Sequence, residues 1–270
     1  MSGNLFRRTW AAQRGRLLLV MIALAIWGFL LPVVYATFGN EMGALARSPA
    51  FANVFDVMSR FTGGDVFSIS GTVALGLVHP IALALVAIPV IGFAAGAVAG
   101  ERQRGTLEVL LARPLERRVV YGTLLAATLL FAALAEVAVL AGILAGAVLF
   151  GVAADLRAAD LALCWLNGVA LFGALGAVAL AASVSFDRSA PAMGIALGVT
   201  IVGYAINFLG TLWPSAAWLL PISPFRYFEP TRILAGAFDP LDLLVLGAIF
   251  AVAVGWAEWI FPRRDLAAPS

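Results

Sequence analysis

The chain has 270 residues, of which 63% are hydrophobic and 12% charged, and its formal net charge is +2. Soluble domains contain about 45–50% apolar and about 25% charged residues, so this composition predicts an integral membrane protein without a soluble catalytic domain of ordinary size. One cysteine, one histidine and no lysine argue against a disulfide framework, a Cys/His zinc site and an intact P-loop, whose lysine contacts phosphate.

Six apolar stretches are each long enough to cross a bilayer, which takes about 20 residues. The third is too long for one flat crossing, so it is expected to tilt or to project into water. The fold is predicted to be an all-α integral membrane protein with one transmembrane domain over residues 1–270. The predicted spans cover residues 17–38, 73–99, 119–150, 161–183, 190–213 and 241–261.

The distribution of arginine predicts the orientation of these spans. Cytoplasmic loops are enriched in arginine and lysine. If the N-terminus lies inside, twelve of the seventeen arginines fall on the inner side and five on the outer side. We therefore expect both termini, and the loop between spans two and three, to lie in the cytoplasm.

Three segments outside the predicted spans have residue patterns that predict their local structure. Residues 3–16 mix apolar side chains with four arginines, which predicts an amphipathic helix on the inner membrane surface. The outer loop at residues 39–71 is expected to hold an interfacial helix that ends at Gly63 and Gly64. The loop after span five contains five prolines, which exclude one long helix and favour short helical pieces.

The most polar stretch, residues 100–118, lies between spans two and three. Gly100 is expected to end the second span, Thr106 to cap a short helix, and Pro114 to stop that helix and begin the next. Three leucines then share one helix face: Leu107, Leu110 and Leu111. Such a leucine stripe either occupies a groove on a partner protein or packs on the membrane surface or on its own chain.

This stretch resembles the signature of permease subunits of ABC transporters of the ABC-2 type. The six-span layout, the amphipathic leader and Ser223-Pro224-Phe225 are also similar to that family. Thr123 departs from it, because many relatives have a lysine after the glycine that matches Gly122. The signature residues are Glu101, Gly105, Thr106, Leu107, Glu108, Leu110, Leu111, Pro114 and Arg117.

The resemblance implies that this stretch is a coupling helix that docks into a separate ATPase, with Arg113 joining the leucines in contact. It implies two ATPase copies that bind ATP and Mg, no cofactor and no catalytic or metal site in this chain, and a second permease half, expected to be a homodimer. The implied location is the bacterial inner membrane, in contact with lipid and without a nucleic-acid partner. Export of a lipid, drug or peptide-like substrate is the expected activity.

Polar residues inside the spans are candidates for a translocation path: Glu136, Asn167 and Asn207. An ionised carboxylate at the depth of Glu136 costs at least a few kcal/mol, so it either has a function or is bonded to a neighbouring span. Two rival functions use Glu136: a proton-coupled secondary transporter, and an intramembrane enzyme in which Glu258 is the second acid or base. Glu258 is otherwise expected to pair with Arg263 and Arg264.

Two further patterns concern the helices themselves. His79 precedes Pro80 near the outer end of span two, which predicts a kink. Glycines recur every four residues at Gly92, Gly96 and Gly100, and such spacing allows helices to approach closely. Glycines have the same spacing at Gly142/Gly146 and at Gly194/Gly198, and the sequence does not decide whether these pairs pack against another helix.

The topology is testable with reporter fusions along the chain. Fusions at residues 60, 155 and 225 are expected to report the outer side, and fusions at residues 110 and 187 the cytoplasm. A cytoplasmic signal at residue 60 would contradict the whole map.

Overall fold

The structure is a computed structural model that describes residues 2–46, 48, 67–106 and 116–264. Within these residues every regular element is helical, which confirms the all-α prediction. Three short 3₁₀ helices cover Ala153–Asp155, Pro214–Ile222 and Pro224–Tyr227. The α-helices are α1 Gly3–Ala46, α2 Ile69–Val78, α3 Pro80–Gly96, α4 Ala99–Gln103, α5 Arg117–Leu149, α6 Ala158–Ser185, α7 Ser189–Leu212, α8 Pro230–Leu234 and α9 Pro240–Ile260.

Five of the described helices are long and apolar enough to cross a membrane: α1, α5, α6, α7 and α9. A sixth crossing results if α2 and α3 form one span, since they meet at a bend of 48°. If that bent pair is counted as one span, the described residues provide the six spans that the sequence predicted. Their ends agree with the predicted ends to within a few residues, except in α1.

The bend between α2 and α3 lies at His79, as the sequence predicted. Pro80 supplies no backbone N–H, so it begins α3 instead of continuing α2. The His79 imidazole Nδ1 accepts a hydrogen bond of 3.3 Å from the Ile81 amide. Its ring also lies 4.9 Å from the Trp27 ring of α1, so at the bend His79 contacts both α3 and α1.

The leader and span one form a single helix of 44 residues, about 66 Å long at 1.5 Å per residue. The leader is helical as predicted, and it is continuous with span one instead of forming a separate helix. Leu5 is buried, and the Ser2 backbone N–H donates to the Thr123 hydroxyl at 2.9 Å. The leader thus packs on the first turns of α5.

Helices α1 and α5 run parallel and touch along their length through glycine. A Cβ atom on Gly142 would lie 2.0 Å from the Ala25 carbonyl oxygen, and one on Gly28 would lie 2.1 Å from the Val139 carbonyl oxygen. These distances leave no room for a side chain, so the Gly142/Gly146 spacing does serve helix packing. No atom lies within 4 Å of a Cβ on Gly92 or Gly96, and the packing expected for them was wrong within this chain.

The buried apolar side chains form one main cluster in the middle of the described spans, with α6 at its centre. At the end of the bundle where α6 begins, the proline-rich loop forms two 3₁₀ helices and α8, each with proline in its first turn. This confirms the predicted short helical pieces. The interfacial helix expected near Gly63 falls outside the described residues.

The glycine contact predicts a specific stability defect. Gly142→Ala forces α1 and α5 apart, because overpacking of this kind costs about 1–3 kcal/mol. Gly247→Ala, in α9, meets no atom within 4 Å and is the matched control. Thermal unfolding of the detergent-solubilised protein should show a lower melting temperature for Gly142→Ala and no loss for Gly247→Ala. Equal melting temperatures would contradict the glycine contact.

Candidate functional site

The described residues that flank the predicted coupling segment, residues 107–115, lie together at one end of the bundle, here called the basal region. It comprises residues 98–106, 117–118, 183–189 and 258–264. The chain enters it where α3 ends and α4 begins. The helix breaks there, and the backbone N–H groups of Val98 and Ala99 both donate to the buried Ser183 hydroxyl at 3.0 Å.

The helix α4 ends at Gln103, and the chain turns away at Gly105, whose φ of +69° is in the left-handed region that favours glycine. The Thr106 N–H donates to the Glu101 carbonyl at 3.0 Å, and the Gly105 N–H donates to the Arg102 carbonyl at 3.0 Å. This pair of bonds is the Schellman arrangement that closes a helix. Gly100, which was expected to end the second span, lies inside α4, so that expectation was wrong.

The Glu101 side chain holds this turn together. The Thr106 hydroxyl donates to its carboxylate at 2.7 Å, and Arg104 forms an ion pair with it. Partial burial alone would raise the pKa of Glu101, but the hydrogen bonds from Thr106 and Arg104, together with the positive charges of Arg104 and Arg8, outweigh it and hold that pKa below its usual value. The carboxylate is therefore ionised at neutral pH, and the turn before the coupling segment is charge-stabilised.

A second carboxylate, Asp187, joins three parts of the basal region. It lies in the turn between α6 and α7 and binds Arg102 of α4 at 2.9 Å. It also binds Arg264, which follows α9, and Arg264 donates to the Val184 carbonyl at 3.0 Å. Beside it, the Ser189 hydroxyl donates to the Gln103 amide oxygen at 2.7 Å. The end of span two is thus tied to spans four, five and six.

Beyond the coupling segment, the chain re-enters the basal region at Arg117. Its guanidinium donates to the carbonyl oxygens of Phe261, Pro262 and Arg264 at 3.2, 3.2 and 2.6 Å. The first turn of α5 is therefore fastened to the end of α9.

Glu258 lies beside this contact. It pairs with Arg118 at 3.5 Å, and among the described residues it has no ion pair with Arg263 or Arg264. The expected pairing of Glu258 with those two arginines was wrong.

The remaining coupling candidates fall in residues 107–115, outside the described residues. Their role stays a prediction, whereas the structure places Glu101, Gly105, Thr106 and Arg117 at the two ends of that segment. The candidates concerned are Leu107, Glu108, Leu110, Leu111, Arg113 and Pro114.

The candidates for a translocation path have different surroundings. Glu136 is buried against Gly168 of α6, beside an apolar cavity of about 10 Å³. Asn167 is fully buried, and both ends of its amide bind backbone: it donates to the Tyr227 carbonyl at 2.9 Å and accepts from the Glu229 N–H at 3.0 Å. Asn207 is half-buried on α7, and its side chain forms no hydrogen bond to a described residue. Asn167 thus anchors the proline-rich loop.

The acids of the enzyme hypothesis are far apart. Glu258 of α9 pairs with Arg118 of α5. Glu136 lies 18 residues after Arg118 on α5, which places these two residues about 27 Å apart along that helix. Two groups at that distance do not act on one bond. No group of three or more His, Cys, Asp or Glu residues in the described part of the chain is able to hold a metal ion.

Comparison with known proteins identifies the class of protein that has this arrangement. Residues 11–266 match the model of the family described as ABC-2 family transporter protein. A search of curated proteins finds no match. The chain belongs to the ABC-2 family, and it is the permease subunit of an ABC transporter, a transport component instead of an enzyme.

Three residues that build the basal region could not be identified from the sequence: Ser183, Asp187 and Gln103. Ser183 and Asp187 contact α4 across more than 80 residues of chain. The turn at residues 183–189 differed from its surroundings only in being a short polar stretch between two apolar spans. The residues that it contacts depend on how α3, α6 and α9 pack.

The shared carboxylate predicts a measurable loss of stability. Asp187→Ala removes the carboxylate that Arg102 and Arg264 share, and two ion pairs of this kind, half-exposed to solvent, together contribute about 1–2 kcal/mol. Asp155→Ala is the control, because Asp155 is exposed and has no ion pair with a described residue. Thermal unfolding in detergent should show a lower melting temperature only for Asp187→Ala. If Asp155→Ala has the same effect, Asp187 does not join the elements as described.

Proposed function

We propose that the chain forms one half of the pathway of an ATP-driven exporter, and that a separate ATPase drives it by pressing on residues 105–113. The observation that carries this proposal is the position of that segment between two anchored ends. Thr106 is bonded to Glu101 on one side, and Arg117 is bonded to the end of α9 on the other. Motion of the segment is therefore passed to the spans through these two bonded ends.

The contacts of the basal region give the route of that motion. From α4 it passes through Arg102 and Asp187 to the turn between α6 and α7. From Arg117 it passes to α9, and along α5 to α1 through their glycine contact. Conformational change is transmitted through such continuous networks of packed and hydrogen-bonded groups. A single push thus reorients all six spans, which alternating access requires.

The orientation follows from the same region. The basal region and the leader carry most of the arginines, so by the positive-inside rule they face the cytoplasm, where ATP is available. The chain contains no lysine with which to build a P-loop. ATP and Mg are bound by the partner, and the complex contains two ATPase copies.

The outer surface of the bundle supports a second permease half. In the most apolar 18-residue stretch of α7, and likewise of α9, only 17% of the stretch is buried within the chain. Large side chains such as Ile201 and Val202 on α7 are exposed. Two copies of this chain enclose the pathway between them, which fits a hydrophobic or amphiphilic substrate such as a lipid, drug or peptide.

The coupling proposal is tested by one apolar and one charged substitution. Leu110→Asp introduces a carboxylate into the groove of the ATPase, where an unpaired buried charge costs several kcal/mol. Arg104→Ala removes an ion pair whose arginine side chain is 63% exposed, and such pairs contribute about 0–1 kcal/mol. Co-purification with the ATPase and ATP hydrolysis in lipid should collapse for Leu110→Asp and change little for Arg104→Ala.

Both variants must first be present in the membrane at wild-type levels. A Leu110→Asp protein that keeps a normal complex and normal transport-stimulated hydrolysis would show that residues 105–113 are not the coupling element.

A further inference from the structure

A cavity of about 270 Å³ lies between the leader part of α1, the end of α3 and the start of α5. We refer to it as the leader cavity. Its wall on α1 is formed by residues 5, 8, 9, 12, 13 and 16, whose spacing places them on one helix face. The amphipathic pattern of the leader therefore faces this cavity. We propose that the leader cavity binds the headgroup and the adjoining chain segment of an anionic phospholipid.

The charge of the cavity selects an anion. Three arginines and one glutamate line it: Arg8, Arg16, Arg104 and Glu101. Glu101 is already paired with Arg104 and bonded to Thr106. The side chains of Arg8 and Arg16 form no hydrogen bond with a described residue. Arg8 is close enough to Glu101 to interact with its charge, but three guanidinium groups against one carboxylate leave a net positive lining, and guanidinium groups are suited to phosphate.

The other half of the cavity is apolar, which distinguishes a lipid from a soluble phosphate. Phe93, Ala97 and Leu124 line it, together with Leu5 of the leader. Thr9 and Gln13 line it beside the arginines. Apolar side chains next to guanidinium groups suit an amphiphile whose charged headgroup adjoins its acyl chains.

Two glycines create the space. Gly92 and Gly96 are one turn apart on α3 and line the cavity, and no atom lies within 4 Å of a Cβ on either. Larger side chains at these positions would fill the cavity without displacing a neighbour. The volume is just below the range of about 300–1,000 Å³ typical of drug-sized ligands, which fits part of a lipid and excludes a large substrate.

The test measures binding of phosphatidylglycerol and phosphatidylcholine with identical acyl chains to the purified full-length protein, by native mass spectrometry. Gly96→Leu fills the cavity, and Gly255→Leu, at an equally open glycine on α9, is its control. The Arg8→Gln/Arg16→Gln double variant removes the charge. The Arg7→Gln/Arg14→Gln double variant removes two arginines of the same helix that do not line the cavity.

We expect wild-type protein to prefer phosphatidylglycerol and to keep that preference in millimolar glycerol phosphate. Each arginine near an anionic lipid contributes about fivefold in affinity, so Arg8→Gln/Arg16→Gln should weaken binding by about 25-fold. Gly96→Leu should abolish the preference, and both controls should bind as the wild type does.

Three results would overturn the proposal. Equal losses in the two arginine double variants would indicate general attraction to a basic surface. Displacement by glycerol phosphate would indicate a soluble phosphate ligand. Reduced dimerisation of Gly96→Leu with unchanged lipid binding would show that a second copy of the chain occupies the glycine surface.

Discussion

A backbone N–H or C=O group that loses its helical partner inside a membrane finds no water to replace it, so every helix break must be satisfied by the protein. The breaks in this chain follow that constraint. Ser183 binds the two amides freed between α3 and α4, and Asn167 binds the backbone at 227 and 229. Ser223 donates to the Gly203 carbonyl at 2.7 Å. Each of these three irregular segments is thereby hydrogen-bonded to a span that is distant in the sequence.

The same constraint explains how the permease is organised for coupling. The break before α4 carries the chain out of span two and delivers Glu101 and Arg102 to the basal region. There, charged side chains take over from the buried serine and tie α4 to the segments next to α6, α7 and α9. The proposed coupling segment lies between two such ties. In our proposal a partner therefore acts on a connected frame, and the spans move as its consequence.

Much of this fold could be predicted from the sequence, because membrane spans depend on length and apolar composition, which are local properties. The bend at His79 and the short helices at Pro214, Pro224 and Pro230 followed from proline in the same way. Contacts between distant segments could not be predicted. The close approach at Gly142 depends on its position opposite Ala25, and the glycines that were favoured for packing, Gly92 and Gly96, line a cavity. The burial of Leu5 in the bundle and the continuity of the leader with span one also depend on packing that its amphipathic pattern does not specify.

The central claim is that the partner ATPase contacts residues 105–113, next to the basal region, and does not contact the opposite end of the bundle. Site-directed cross-linking tests it most directly, because the only cysteine, Cys164, is buried and is replaceable by alanine. In that background, a cysteine at Leu110 should cross-link to the ATPase in lipid. A cysteine at Ala154, exposed at the opposite end, should not. Cross-linking at Ala154 with none at Leu110 would contradict the account.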